Sequence, residues 1–444
     1  MQKKSYLLIA ILMSLALIIS ACGGAGTSTS APTTDEPAMP EPTEEMMTEE
    51  PAMTEEPAMT EEPQVVGTIK IGAALSETGT YATIGLDVRQ GYMLWVDYVN
   101  EELGGINVGG DLYNVELILY DDESDADTAN RLIEQLISED EVNFILGPYG
   151  SSLTIATSTI TEQYGVIMIE ANGAAETIFD RGYKYVFGVL SPASYYSKAA
   201  VEALADAGAE TLVVAVEDEA FSIAINDGVL KWAEEYGLEV LAQESYPNGN
   251  TDAALFDPIM TKFKALNPDA YINAGHLNDG IAARASAQSL GFCPGAMVFM
   301  ASANVPAFAT ELGEKAEYAV GSTQWQETMS YQGMYIGTPQ EYYERYVGKY
   351  GMDPSYQSAE STAAGFALQY AIEQAGTLET EAVRQELLDM DIMTFYGAIN
   401  FDETGKNVAH AMAAGQILDG KFQIVWPPEA AVEEFVYPDP SCSQ

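Results

Sequence analysis

Between residues 68 and 300 the chain repeats one unit. A short apolar run leads into a loop of small or polar residues, and an amphipathic stretch follows. Thr68–Leu75, Val115–Tyr120, Val142–Leu146, Val166–Ile169, Thr211–Val216, Leu238–Gln243, Ala270–Asn273 and Met297–Met300 read as strands. Between them, helical spacing places Leu86, Tyr92, Met93, Val96 and Val99 on one face. It also supports helices over 128–137, 151–164, 223–236, 257–266 and 280–290. Strands that alternate with helices must form parallel sheets covered on both faces, so the expected class is α/β. In such sheets ligands sit beyond the carboxyl ends of the strands. Loops 76–85, 121–125, 147–152, 170–177, 217–222, 274–279 and 301–306 are therefore where chemistry is expected.

The first 66 residues follow other rules. Lys3 and Lys4 precede an apolar run from Tyr6 to Ile19, too short to span a bilayer and of the length of a secretory leader. Ile19-Ser20-Ala21-Cys22 resembles a lipobox, which implies cleavage before Cys22 and its lipidation. Residues 23–66 contain no Lys or Arg, begin Gly/Ser/Thr-rich and continue into Met-Thr-Glu-Glu-Pro-Ala repeats at 47–52 and 53–58. Like charges and prolines predict a disordered acidic tether.

Charge narrows the function. Against 67 Asp and Glu stand 18 Lys and Arg, a net charge of −49. The leader contributes +2 and the tether −11, leaving −40 on the remaining chain. So acidic a surface excludes nucleic-acid binding and attachment to anionic lipid through a basic patch. Three cysteines and two histidines exclude a disulfide-dense scaffold and leave no basis for a Cys/His metal centre. The acidic run Asp121–Asp127 lacks the glycine and distal Glu of a calcium loop, so neither metal nor cofactor is expected. No Gly-x-Ser-x-Gly elbow accompanies Ser151, and the chain reads as a non-enzyme.

Four stretches carry a family resemblance: IKIGAALSETGTYATIG (69–85), GGINVGGDLYNVELILYDDESD (104–125), VNFILGPYGSSLTIA (142–156) and GAINFDETGKN (397–407). In this order they resemble the type I periplasmic binding proteins, in the branched-chain amino acid branch that serves ABC importers. The resemblance implies two doubly wound parallel-sheet lobes joined by three crossover strands. Lobe one would be 67–188 plus 327–400, lobe two 189–326 plus 401–435, and 436–444 a C-terminal tail. It further implies capture of a small amino-acid-like or carboxylate solute in the cleft and delivery to a permease. A surface sensor that feeds a signalling receptor is the alternative.

The resemblance also assigns the cleft. Ser151, with Ser152 beside it, takes the place of the serine that holds the solute carboxylate at a helix N-terminus; helix capping is the other role open to it. Asn172-Gly173-Ala174-Ala175 replaces a loop ending in Thr, leaving backbone contacts from Gly173 and Ala175. Phe221 and His276 fall where the family has aromatic residues. The Glu that pairs with a solute ammonium falls at Ala303, so either the solute lacks an α-amino group or Glu170 or Asp279 substitutes. Tyr81, Tyr149 and Trp325 are candidate apolar walls. Cys293 and Cys442 remain for a disulfide that would pin the tail to lobe two.

Overall fold

A computed structural model describes residues 64–249 and 252–443. The leader, the tether and Cys22 lie outside the described residues. No helix among the described residues is long and apolar enough to cross a membrane.

Two sheets organise the chain. The first is built from β1 (Val65–Leu75), β2 (Ile106–Val108), β3 (Asp111–Asp121), β4 (Phe144–Leu146), β5 (Met168–Glu170) and β6 (Val186–Gly188), in the order β2-β3-β1-β4-β5-β6. Only the β2–β3 hairpin is antiparallel. Between these strands run α1 (Ala82–Asp97), α2 (Ala126–Ser138) and α3 (Ser151–Tyr164). Ile71 to Leu75 of β1 is buried without a break, as expected for a strand covered on both faces. In α1 the buried stripe is Ile84, Val88, Tyr92 and Trp95; Leu86, expected on that face, is exposed because it sits half a turn away. Asp125 caps α2 by accepting from the Thr128 amide, and Asp121 accepts from the Glu77, Thr78 and Glu123 amides. These acids build the loop's own backbone.

The chain then enters the second sheet through α4 (Lys198–Asp206). That sheet contains β7 (Thr211–Glu217), β8 (Glu239–Tyr246), β9 (Ala270–Ala274), β10 (Ala296–Phe299) and β11 (Val320–Thr323), interleaved with α5 (Ala220–Tyr236), α6 (Ala253–Leu266), α7 (Leu277–Ser289) and α8 (Pro306–Leu312). After β11 the chain returns to the first lobe as α9 (Pro339–Tyr350), α10 (Tyr356–Ala375), α11 (Thr380–Leu388) and the small hairpin β12 (Asp391–Met393) with β13 (Ala398–Asn400). Helix α10 packs on α1, where Trp95 Nε1 donates to Gln369 at 3.3 Å. Gly365 makes that approach possible: a Cβ there would meet the Trp95 ring at 2.2 Å.

Two antiparallel strands, β14 (Ala413–Leu418) and β15 (Lys421–Trp426), complete the second sheet in the order β15-β14-β11-β10-β9-β7-β8. The chain thus passes between the sheets three times. Residues 401–407, read above with the second lobe, lie beside the first: Lys406 bridges to Gly188 and Phe401 packs on Phe187. The tail runs along the second lobe, where the Asp439 amide donates to the Gly295 carbonyl and a disulfide joins Cys293 to Cys442.

Each sheet has one place where successive connections turn in opposite directions. In the first it lies between β1 and β4, and in the second between β7 and β9. Side chains just beyond these strand pairs are held in a crevice between diverging helices.

Candidate functional site

Four loops meet there. Behind β1 the chain turns through Gly79 (φ +84°) into α1, and Gly85 packs so close that a Cβ would meet the Ser76 carbonyl at 1.9 Å. This fixes Tyr81 at the helix entrance. Behind β4, Gly150 (φ +94°) makes the turn into α3 and places Tyr149 beside Tyr81, with ring centroids 5.3 Å apart. Behind β7 comes the acidic turn Glu217-Asp218-Glu219, then Phe221 on α5. Behind β9 comes His276, the residue that caps the start of α7.

The rings form one wall. His276 lies 5.4 Å from Tyr81, 6.0 Å from Tyr149 and 5.2 Å from Phe221, and Phe221 meets Tyr196 at 5.2 Å. Tyr81, Tyr149, Glu217, His276 and Asp279 line a small cavity with space for about one water. The lobes are nearly shut on each other. Across the seam, Asn278 Nδ2 donates to the Thr80 carbonyl at 3.1 Å, and the Ser152 amide donates to Glu219 at 3.0 Å.

His276 is the electrostatic centre. Its Nδ1 faces Glu217 Oε2 at 2.5 Å, leaving Nε2 as the other polar edge of the ring. Burial alone would push the imidazole down; the Glu217 carboxylate reverses that and holds it up at about 9. Burial likewise acts to raise Glu217, and the imidazolium offsets it, so Glu217 sits below the usual carboxylate range. Glu217 is further held by the Gly249 amide at 3.1 Å and the Ser222 hydroxyl at 3.2 Å. Asp279 is pushed up to about 8, first by burial and then by the Glu217 charge. It accepts from the His276 amide at 2.8 Å and from the Tyr246 hydroxyl. The three groups Glu217, His276 and Asp279 lie close enough to hold a metal. Their carboxylates are already satisfied by protein donors, so nothing about the donor set calls for one.

Several expected residues stand elsewhere. Ser151 is the first residue of α3 and not its cap; its buried Oγ accepts from the Ala174 and Ala175 amides at 3.1 and 3.0 Å. The backbone donor expected free at Ala175 is therefore engaged. Gly173 packs against Thr154, where a Cβ would come within 2.5 Å of Oγ1. Glu170 turns into the interior of the first lobe, accepts from Thr154 at 2.9 Å, and is raised by burial to about 8. It offers no charge to a solute. Trp325 is buried against the Tyr342 ring, 5.4 Å away, and is not among the residues lining the cavity. Ala303 is buried, and its neighbour Asn304 donates to the Ser322 carbonyl at 2.6 Å. Glu217 and Glu219 were not singled out by sequence reasoning. The signal was present, since Glu-Asp-Glu follows the apolar run Leu212–Val216 in a loop marked as a place for chemistry.

Two α/β lobes, three crossings and a crevice lined from both switch points define a two-lobed protein with a cleft between its sheets. The sequence model described as "Periplasmic binding protein" matches residues 68–421, and the chain belongs to that family, as a type I member of the branched-chain amino acid branch. It is 25% identical over 390 residues to Leu/Ile/Val-binding protein homolog 7 of Brucella suis, covering 83% of this chain and 94% of the relative. The branched-chain amino acid substrate-binding protein LivJ of Streptococcus pneumoniae, solved with isoleucine, superposes with a TM-score of 0.69 at 23% identity, over 81% of this chain and all of that one. A solute-binding protein of Rhodopseudomonas palustris, solved with 3,4-dihydroxybenzoic acid, gives 0.68 at 18% identity, over 80% and 95%. The chain is accordingly a substrate-binding protein of the ABC transporter type and extracytoplasmic, from a family without enzymatic activity.

Proposed function

We propose that the chain is the lipid-anchored receptor of an ABC importer. It captures a small solute with an acidic group on an apolar or aromatic body and delivers it to the permease. Tyr81 and Tyr149 form the wall for that body, with Phe221, outside the cavity lining, packed against the His276 ring. The observation that carries the reading is His276: Glu217 fixes its ring and keeps it charged, so its remaining N–H is an anion donor at the cavity. A solute ammonium has no comparable partner. Ala303 stands where the pairing Glu would be, and Glu217 and Asp279 already accept from protein donors. The structures bound to isoleucine and to a hydroxybenzoic acid support the size class. Because the shut cavity holds about one water, the lobes must part to admit the solute.

A thermal-shift screen tests this. Aromatic and branched short-chain carboxylates should stabilise the protein by about 4 kcal/mol at a thousandfold excess over Kd. Strong stabilisation by Leu, Ile and Val, with none by the acids, would overturn the solute class. The anchor rests on Ile19–Cys22: fatty-acid labelling should vanish in Cys22→Ser, and labelling that persists would remove it.

A further inference from the structure

Glu219 contacts both lobes. It precedes α5, and its Oε2 accepts from the Phe221 amide at 2.7 Å, which caps that helix. Its Oε1 reaches across the cleft and accepts from both the backbone amide and the hydroxyl of Ser152. Ser152 is the second residue of α3, so its amide is one of the first-turn donors that have no partner inside the helix. One carboxylate thus caps two helices, one in each lobe. Both helices present their positive ends to it, where an acceptor oxygen is well placed. Glu219 is only 4% exposed, so the contact is sheltered from water.

We infer that Glu219 is an intramolecular latch. It occupies the anion seat at the N-terminus of α3 with the protein's own carboxylate and draws the lobes together before any solute arrives. Two consequences follow. The solute-free protein populates a closed form. A solute acid must either displace Glu219 from Ser152 or be read elsewhere, which makes Glu219 a specificity-determining residue of the cleft. The inference stands on the contact between the lobes and not on the solute class proposed above.

Hydrogen–deuterium exchange on the full-length, solute-free protein tests it. In the wild type the first amides of α3 should be protected. Glu219→Gln removes the charge and leaves an oxygen to cap α5; it should speed exchange in a peptide spanning 151–156 by about tenfold. Ser152→Ala leaves Glu219 and its cap on α5 untouched, and should give a smaller increase at the same peptide. Small-angle scattering should show both variants more extended than the wild type. Unchanged exchange and scattering in both variants would overturn the latch. So would faster exchange in Glu219→Gln confined to α5, since that reports a lost cap and nothing across the cleft.

Discussion

In the first lobe the loops behind β1 and β4 present Tyr81, Tyr149, Ser151 and Ser152; in the second, those behind β7 and β9 present Glu217, Glu219, Phe221 and His276. The positions are equivalent in topology, since both sets stand at switch points. Their chemistry differs. The first lobe offers rings, hydroxyls and helix amides, and its polar groups are largely consumed at home, with Ser151 holding the 174–175 loop. The second lobe holds the charges, and one of them reaches over to fill the first lobe's anion seat. A shared architecture therefore fixes where a cleft lies without fixing which side reads the solute.

The largest effect expected to separate the lobes is at His276. Replacing it with Ala leaves Glu217 buried without its partner, so stability should fall by about 3–5 kcal/mol in denaturant titration. Binding of an acidic solute should fall with it. Ser151→Ala should next cost about 1–3 kcal/mol, because the Ala174 and Ala175 amides lose their acceptor. Its effect should appear in stability, with solute affinity nearly unchanged in calorimetry; a loss confined to affinity would return Ser151 to the solute.

A pH series gives a smaller effect with a definite sign. His276 is raised to about 9, so its pairing with Glu217 stabilises fully below about 6.5 and is lost as pH rises through 9. Glu170 and Asp279 are raised to about 8, so the folded state binds more protons than the unfolded one above their ordinary range, and they too lose stability as pH rises. The melting temperature of the solute-free protein should fall from pH 6 to pH 9. Glu170→Gln should flatten the part of the decline that lies below pH 8 and leave the part above it unchanged. A melting temperature that rises over this range would contradict the assigned protonation states.

Much of this was legible in the chain. Apolar runs spaced by amphipathic stretches located the strands, and the strand ends located the loops, because burial on both faces leaves a simple hydrophobic signal. Tyr81 and Tyr149 lie in those loops, the family resemblance pointed to Phe221 and His276, and the four rings stand together. The sequence did not reveal partnership. Ser151 looks the same whether its oxygen serves a solute or two backbone amides 23 and 24 residues away. Glu219 went unnoticed because its bond to a helix 67 residues earlier exists only once two lobes face each other. Trp325 illustrates the converse: a ring beside a crossing is as readily packed into a core as left to face a cleft.

On the proposed function, His276 of the second lobe, kept charged by Glu217, reads the solute's acidic group. Calorimetry of a bound carboxylate across pH tests it most directly. Affinity should hold between pH 6 and 7 and fall as pH rises through about 8 to 9, where Asp279 gains a negative charge and the imidazolium loses its proton. An affinity that stays level to pH 10, or rises, would contradict it.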